Sequence, residues 1–287
     1  MKTPLKPPFD SAGKLSSAGS RPAFPVQLNS GKGNSFATKT VAAAARATSN
    51  NGGNGQNDLK KPFQPGASDG FGLDSAVRAR MVRRLAEQGV LDARVLAAMG
   101  AVQRHHFVDT ALANMAYEDT SLPIGFGQTI SKPSVVARML ELLQQGLTDA
   151  SGRLGRVLEI GTGCGYQAAV LSHLATEVYS MERLRGLHDK ARENLRPLRL
   201  ANVHLLFGDG MHGFAKGAPY AAIIAAAGGE AIPPAWTEQL AVGGRLVAPL
   251  QDASGAQALA VIDRTPQGIR QTLLEAVHFV PLKSGIG

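Results

Sequence analysis

Across 287 residues the chain holds a single cysteine, Cys164. That excludes an intramolecular disulfide and any multi-cysteine zinc site, and it suits a reducing compartment, so a cytoplasmic protein is expected. No apolar run approaches the roughly 20 residues that a bilayer-spanning helix needs. The seven histidines offer no metal set: His105 and His106 are adjacent and would point apart on a helix or a strand, and none of the others falls at metal-ligand spacing. An apolar core behind the basic start, as a secretory leader would show, is also lacking, because Lys2 and Lys6 are followed by Pro7, Pro8 and polar residues. An organelle transit peptide is the alternative that the basic, serine-containing start leaves open.

Acidic residues are scarce over the first quarter. Residues 1–70 contain 9 Lys and Arg against 3 Asp and Glu, leaving 21 against 19 in the remainder, so the formal charge of +8 belongs mainly to a tail. The nearly balanced remainder offers no electrostatic footprint for a polyanion, and no nucleic-acid partner is expected. Residues 1–70 are also rich in Gly, Ser, Asn and Pro, with a low-complexity stretch at 49–57. Such a segment buries too little apolar surface to offset its ordering entropy, so disorder is expected there. A folded domain is expected over 71–287, with packing helices and a loop over 71–150 and a sheet core over 151–287. Order should begin near Ser75, as a helix N-cap, with Val77, Met81 and Leu85 recurring at helical spacing until Gly89; Asp92 should cap a second helix.

What the sequence does contain is a glycine loop. Val157, Leu158 and Ile160 form a short apolar run of the kind buried in a parallel sheet, and glycines at 161, 163 and 165 end it. Such a loop turns tightly and lets its backbone N–H groups approach a ligand, with a helix expected over 166–175. The spacing is Gly-x-Gly-x-Gly, unlike the dinucleotide fingerprint. A second strand, 177–181, ends at Glu182, about twenty residues past the loop, where a carboxylate accepts hydrogen bonds from both ribose hydroxyls of an adenosine-type cofactor. A third, 203–207, leads to Asp209 and Gly210, placing an acceptor for the exocyclic amine of an adenine. Further strands at 220–226, 244–249, 259–263 and 273–279 make seven, the last two without an intervening helix and so expected to close the sheet as a hairpin. Upstream, residues 122–134 read as a loop entering a helix at Pro133. Ser131 then sits just ahead of a helix N-terminus, either as a carboxylate receptor beside Lys132 or simply as a helix cap.

These residues together resemble the bacterial-type protein-L-isoaspartate O-methyltransferases. The resemblance rests on Gly127-Gln128-Thr129-Ile130-Ser131, Val157 to Gly163, Gly165-Tyr166-Gln167, Glu182-Arg183, Gly208-Asp209-Gly210, Gly243-Gly244 and the closing Phe279-Val280-Pro281-Leu282. It covers the chain from about residue 75 onward. It implies a Rossmann-like, doubly wound α/β fold: a mostly parallel seven-stranded sheet with an antiparallel C-terminal strand and its last strands exchanged relative to most methyltransferases. It also implies S-adenosyl-L-methionine as cofactor and methyl transfer to the free α-carboxylate of L-isoaspartyl residues in damaged proteins and peptides, after which the ester collapses unaided to a succinimide. By the same resemblance Ser131 is the active-site serine, flanked by Thr129 and Ile130. Glu159, Gly161, Thr162 and Gly163 shape the methionine and ribose end, Glu182 takes the ribose, and Asp209 with Gly210 meets the adenine. A monomer without membrane partners is expected. Lys132 and the stretch Ala225-Ala226-Ala227-Gly228-Gly229-Glu230 depart from the family pattern. The latter keeps a small-molecule acceptor open as an alternative. A nucleic-acid-binding role for the tail and an NAD-dependent dehydrogenase are further ones.

Overall fold

The computed structural model describes residues 69–146 and 148–287. The tail expected to be disordered lies outside them except for its last two residues. Helix α1 spans Asp69–Glu87, so Ser75 stands inside it and does not cap it as expected; Met81 and Leu85 are buried, whereas Val77 faces solvent. Asp92 does cap α2, Ala93–Ala101, its carboxylate accepting from the N–H groups of Arg94 and Val95. The stretch read as one loop is instead a small antiparallel hairpin, β1 Leu122–Gly125 with β2 Gln128–Ile130, before α3 at Pro133–Gln144.

The core alternates strand and helix: β3 Leu154–Ile160, α4 Tyr166–Ser172, β4 Ala175–Glu182, α5 Arg185–Leu195, β5 Val203–Phe207, β6 Tyr220–Ala225, α6 Pro234–Gln239 and β7 Leu240–Gln251. Helix α4 stops short of the expected 175 because Ala175 is already paired in β4. The strands β8, Gln257–Thr265, and β9, Gly268–Val277, complete a seven-stranded sheet in the order β5-β4-β3-β6-β7-β8-β9. Strands β3 to β7 run parallel to one another, and β8 is antiparallel to both β7 and β9. The closing hairpin is therefore present, and the last two strands are laid down in simple chain order at the edge.

Central strands are covered on both faces, which is why they read as continuous apolar runs. All six residues of β6 are buried. Side chains alternate between two cores with the period of a strand. Val157, Ala222 and Ile224 join the larger one, with Met99, Leu140 and Tyr166, while Leu158, Ile223 and Ala225 join the other, with Trp236 and Leu246. Because β3 to β6 are parallel, the loops that follow them emerge on one edge, as the sequence implied. Among the described residues no helix is long and apolar enough to cross a membrane.

Candidate active site

A cavity of about 230 Å³ opens at that carboxyl edge. Gly161 and Gly163 line it after β3, Met181 and Glu182 at the end of β4, Gly210 after β5, and Ala226 and Ala227 after β6. Phe126, Gln128 and Thr129 of the hairpin close one side, and Val280 to Lys283 close another. A smaller pocket of about 40 Å³ adjoins it, lined by Thr129, Ile130, Ser131, Thr162, Gly163 and Tyr166 among others. The two share Ile124, Thr129, Gly161, Gly163 and Ala226, so they are chambers of one site. The smaller has room for a group the size of a carboxylate.

The glycine loop works differently from the expectation. Most of its N–H groups are taken by protein: Gly161 and Thr162 donate to the Met181 carbonyl at 2.9 and 3.2 Å, and Gly163 donates to Glu182 Oε2 at 2.9 Å. What the loop supplies is space. Gly163 has φ +58°, and a Cβ there would stand 3.2 Å from Ile124 Cδ1, against the hairpin wall. Glu182 is buried, its other oxygen accepting from the Leu184 N–H at 2.9 Å. Each carboxylate oxygen carries two acceptor positions, so one on each is left at the cavity wall.

Two expected cofactor residues stand behind the wall. Glu159 is fully buried beneath the loop, joined to it by a chain in which Ser180 donates to Glu159 Oε2 and shares a 2.7 Å hydrogen bond with Thr162. Burial pushes the Glu159 carboxyl up to about 8; the Ser180 hydrogen bond pulls it back and the nearby Glu182 charge adds to the rise. At neutral pH it therefore carries its proton. Asp209 accepts from Met211 N–H at 2.9 Å and Gly285 N–H at 2.6 Å, tying the C-terminal segment across the Gly210 end of the cavity. Burial opposes ionisation there, but these two N–H groups and His212 and Arg183 hold its pKa below the ordinary aspartate value.

Ser131 does not cap α3. That helix begins at Pro133, and the Ser134 N–H is bound by Asp119 Oδ1 at 2.9 Å. The Ser131 hydroxyl makes no hydrogen bond among the described residues, while its carbonyl accepts from Arg104 Nη2 at 2.8 Å. The structure thus gathers Thr129, Ile130, Ser131, Thr162 and Gly163 around the small chamber and Gly161, Gly163, Glu182 and Gly210 around the large one.

Sequence reasoning missed Arg104, Phe126, Met181 and the wall role of Lys283. Backbone pairing ties the departing stretch at 225–230 to the C-terminal segment: Gly228 N–H donates to the Val280 carbonyl and Leu282 N–H to the Gly228 carbonyl, at 2.9 and 2.7 Å.

Residues 76–287 match the model of the family described as protein-L-isoaspartate(D-aspartate) O-methyltransferase (PCMT). A protein-L-isoaspartate O-methyltransferase of Leptothrix cholodnii is 62% identical over 229 residues, covering 79% of this chain and 80% of that relative. One of Methylibium petroleiphilum is 65% identical over 219 residues, 75% and 81% of the two chains. A solved protein-L-isoaspartate O-methyltransferase superposes with TM-score 0.65 at 27% identity, over 73% of this chain and 67% of the other.

Proposed function

The chain belongs to the protein-L-isoaspartate O-methyltransferase family, and from that premise we propose that Ser131 receives the acceptor carboxylate in the small chamber while Gly161, Gly163, Glu182 and Gly210 hold the cofactor in the large one. The reaction is transfer of a methyl group from S-adenosyl-L-methionine to the free α-carboxylate of L-isoaspartyl residues in damaged proteins and peptides, a repair methylation. When bound, S-adenosyl-L-methionine supplies a methyl group made electrophilic by its sulfonium.

The residues present fit that cofactor. Glu182 offers acceptors to sugar hydroxyls, Asp209 holds the Gly210 end of the cavity from behind through Gly285, Ile160, Met181 and Leu187 give an apolar wall for a planar base, and the bare Cα of Gly163 keeps the passage between chambers open. Glu159 and Thr162 act from below, fixing the loop through Ser180.

The acceptor is already an anion at neutral pH, so no strong base is required of the protein. The work of this chain's residues is to orient and to exclude water. Ile130, Val136 and Tyr166, all buried, dry the small chamber. Thr129 and Ile130 flank Ser131 in the lining of the small chamber. Lys132, next in sequence, is exposed and lines neither chamber. The observation that carries this reading is the unengaged Ser131 hydroxyl in a chamber shared with Gly163.

The test is incubation with labelled S-adenosyl-L-methionine and a peptide pair differing only in an isoaspartyl or aspartyl linkage. Label in the isoaspartyl peptide alone is expected; equal labelling, or labelling of small metabolites only, ends the reading. The cytoplasm is the compartment we assign, supported by a lone cysteine buried in the glycine loop. The working form we assign is a monomer acting on protein substrates, without nucleic acid.

A further inference from the structure

Arg104 is the only arginine buried among the described residues, with no exposure at all. Its Nε donates to the Ala116 carbonyl and its Nη2 to the Ser131 carbonyl, both at 2.8 Å. Nη1 is buried without a partner. The guanidinium lies 4.8 Å from the centre of the Tyr166 ring, and Tyr166 and Ser131 both line the small chamber. No carboxylate among the described residues forms an ion pair with it. Asp119 acts on it only at longer range, without an ion pair, and accepts the Ser134 N–H through Oδ1.

A cation wholly removed from water without an anion is unfavourable, and an apolar residue of similar volume would serve packing as well or better. Two carbonyls and an aromatic face soften that penalty without neutralising the charge. The anion missing from the protein is one the substrate brings. Resting on the reading of Ser131 given above, we propose that Arg104 is the positioning residue of the acceptor site: it fixes the Ser131 main chain through its carbonyl and keeps an unneutralised positive charge behind the chamber that receives the isoaspartyl carboxylate. Lysine lacks the two-armed reach that joins Ala116, before the hairpin, to Ser131, after it.

The experiment compares binding, by calorimetry at saturating S-adenosylhomocysteine, of one isoaspartyl peptide and its counterpart with an α-carboxamide in place of the α-carboxylate. The wild type prefers the carboxylate. In Arg104→Gln, which removes the charge but keeps a donor for one carbonyl, that preference falls about tenfold or more while S-adenosylhomocysteine affinity is unchanged. Arg104→Lys, which keeps the charge, retains the preference with a raised KM. A role confined to holding structure would weaken both peptides equally, so a Gln variant with the wild-type preference, or a Lys variant that loses it, overturns the proposal. Should Arg104→Gln fail to bind S-adenosylhomocysteine, Arg104→Met, which buries no polar group, takes its place under the same two outcomes. A wild type that methylates no isoaspartyl peptide sinks the Ser131 reading itself. A wild type that prefers the carboxylate, beside a neutral variant that does so equally, sinks only the role of Arg104.

Discussion

Ser131 lines the small chamber, which we assign to the acceptor, and is not among the residues that line the large one, which we assign to the cofactor. Ser131→Ala should therefore lower kcat/KM for an isoaspartyl peptide by roughly 100- to 1000-fold, the range for losing one preorganised donor, with the Kd of S-adenosylhomocysteine nearly intact. Weakened cofactor binding would move the serine to the other chamber. Glu159 yields a different prediction. Its folded pKa, about 8, lies above the ordinary 4.5, so the folded state binds the proton more tightly than the unfolded one. The stability this contributes is complete below the lower value and is lost as pH rises toward the upper. Glu159→Gln cannot ionise, so its Tm relative to wild type should climb between about pH 5 and about pH 8 and then level off. Parallel profiles would show that Glu159 is not held protonated. The placement of Ser131 ahead of α3 and beside the glycine loop was legible, because the five consecutive residues Gly127 to Ser131 single it out. Arg104 was not, since its sequence neighbours Gln103, His105 and His106 are all polar and nothing in that run marks burial; Tyr166 packs against its guanidinium and the Ser131 carbonyl accepts from it.

The β1–β2 hairpin is the element that closes the site, and it escaped the sequence because strands of four and three residues interrupted by Pro123 and Gly125 carry no period. Its tip turns on a non-glycine residue at positive φ, Phe126 at +54°, whose ring lies over the start of α5. Lys190 of α5 reaches back to donate to the Ile124 carbonyl at 2.9 Å, so helix and hairpin are tied at two points. A Cβ at Gly186 would stand 2.1 Å from Phe126 Cζ. Two effects then compete in Gly186→Ala. Alanine favours the helix by up to about 1 kcal/mol over glycine, while the displaced ring is 64% exposed and contributes little to stability. Helix propensity wins for the fold and the clash wins for the site. The variant should melt no lower than wild type, yet show a raised KM for S-adenosyl-L-methionine. A KM unchanged from wild type would mean that Phe126 is not part of the working wall. The seven strands were readable where apolar runs met glycines; the C-terminal wall was not, because Lys283-Ser284-Gly285 gives no sign that backbone groups of this stretch bind Asp209 and Arg183.

At the scale of the molecule, the family match begins at residue 76 and the cavity's lining residues fall between Ile124 and Lys283. The first 70 residues carry most of the net charge, and the rest is close to balance at 21 cations against 19 anions. Activity and basicity are thus assigned to different parts of one chain. Steering by a basic tail would act on encounter with anionic partners and would be screened within about 10 Å at 0.1 M salt. It would leave the chemistry at Ser131 untouched. A chain beginning at residue 69 should therefore keep the wild-type Tm, and kcat/KM for an uncharged-flank isoaspartyl peptide, while eluting earlier from a cation-exchange column. Measured at low and at moderate salt, any difference between the full and shortened chains toward acidic isoaspartyl peptides should shrink as salt rises. A shortened chain slower toward the neutral peptide at every salt concentration would put part of the acceptor or cofactor site within residues 1–68, and the division of labour between tail and domain would fall.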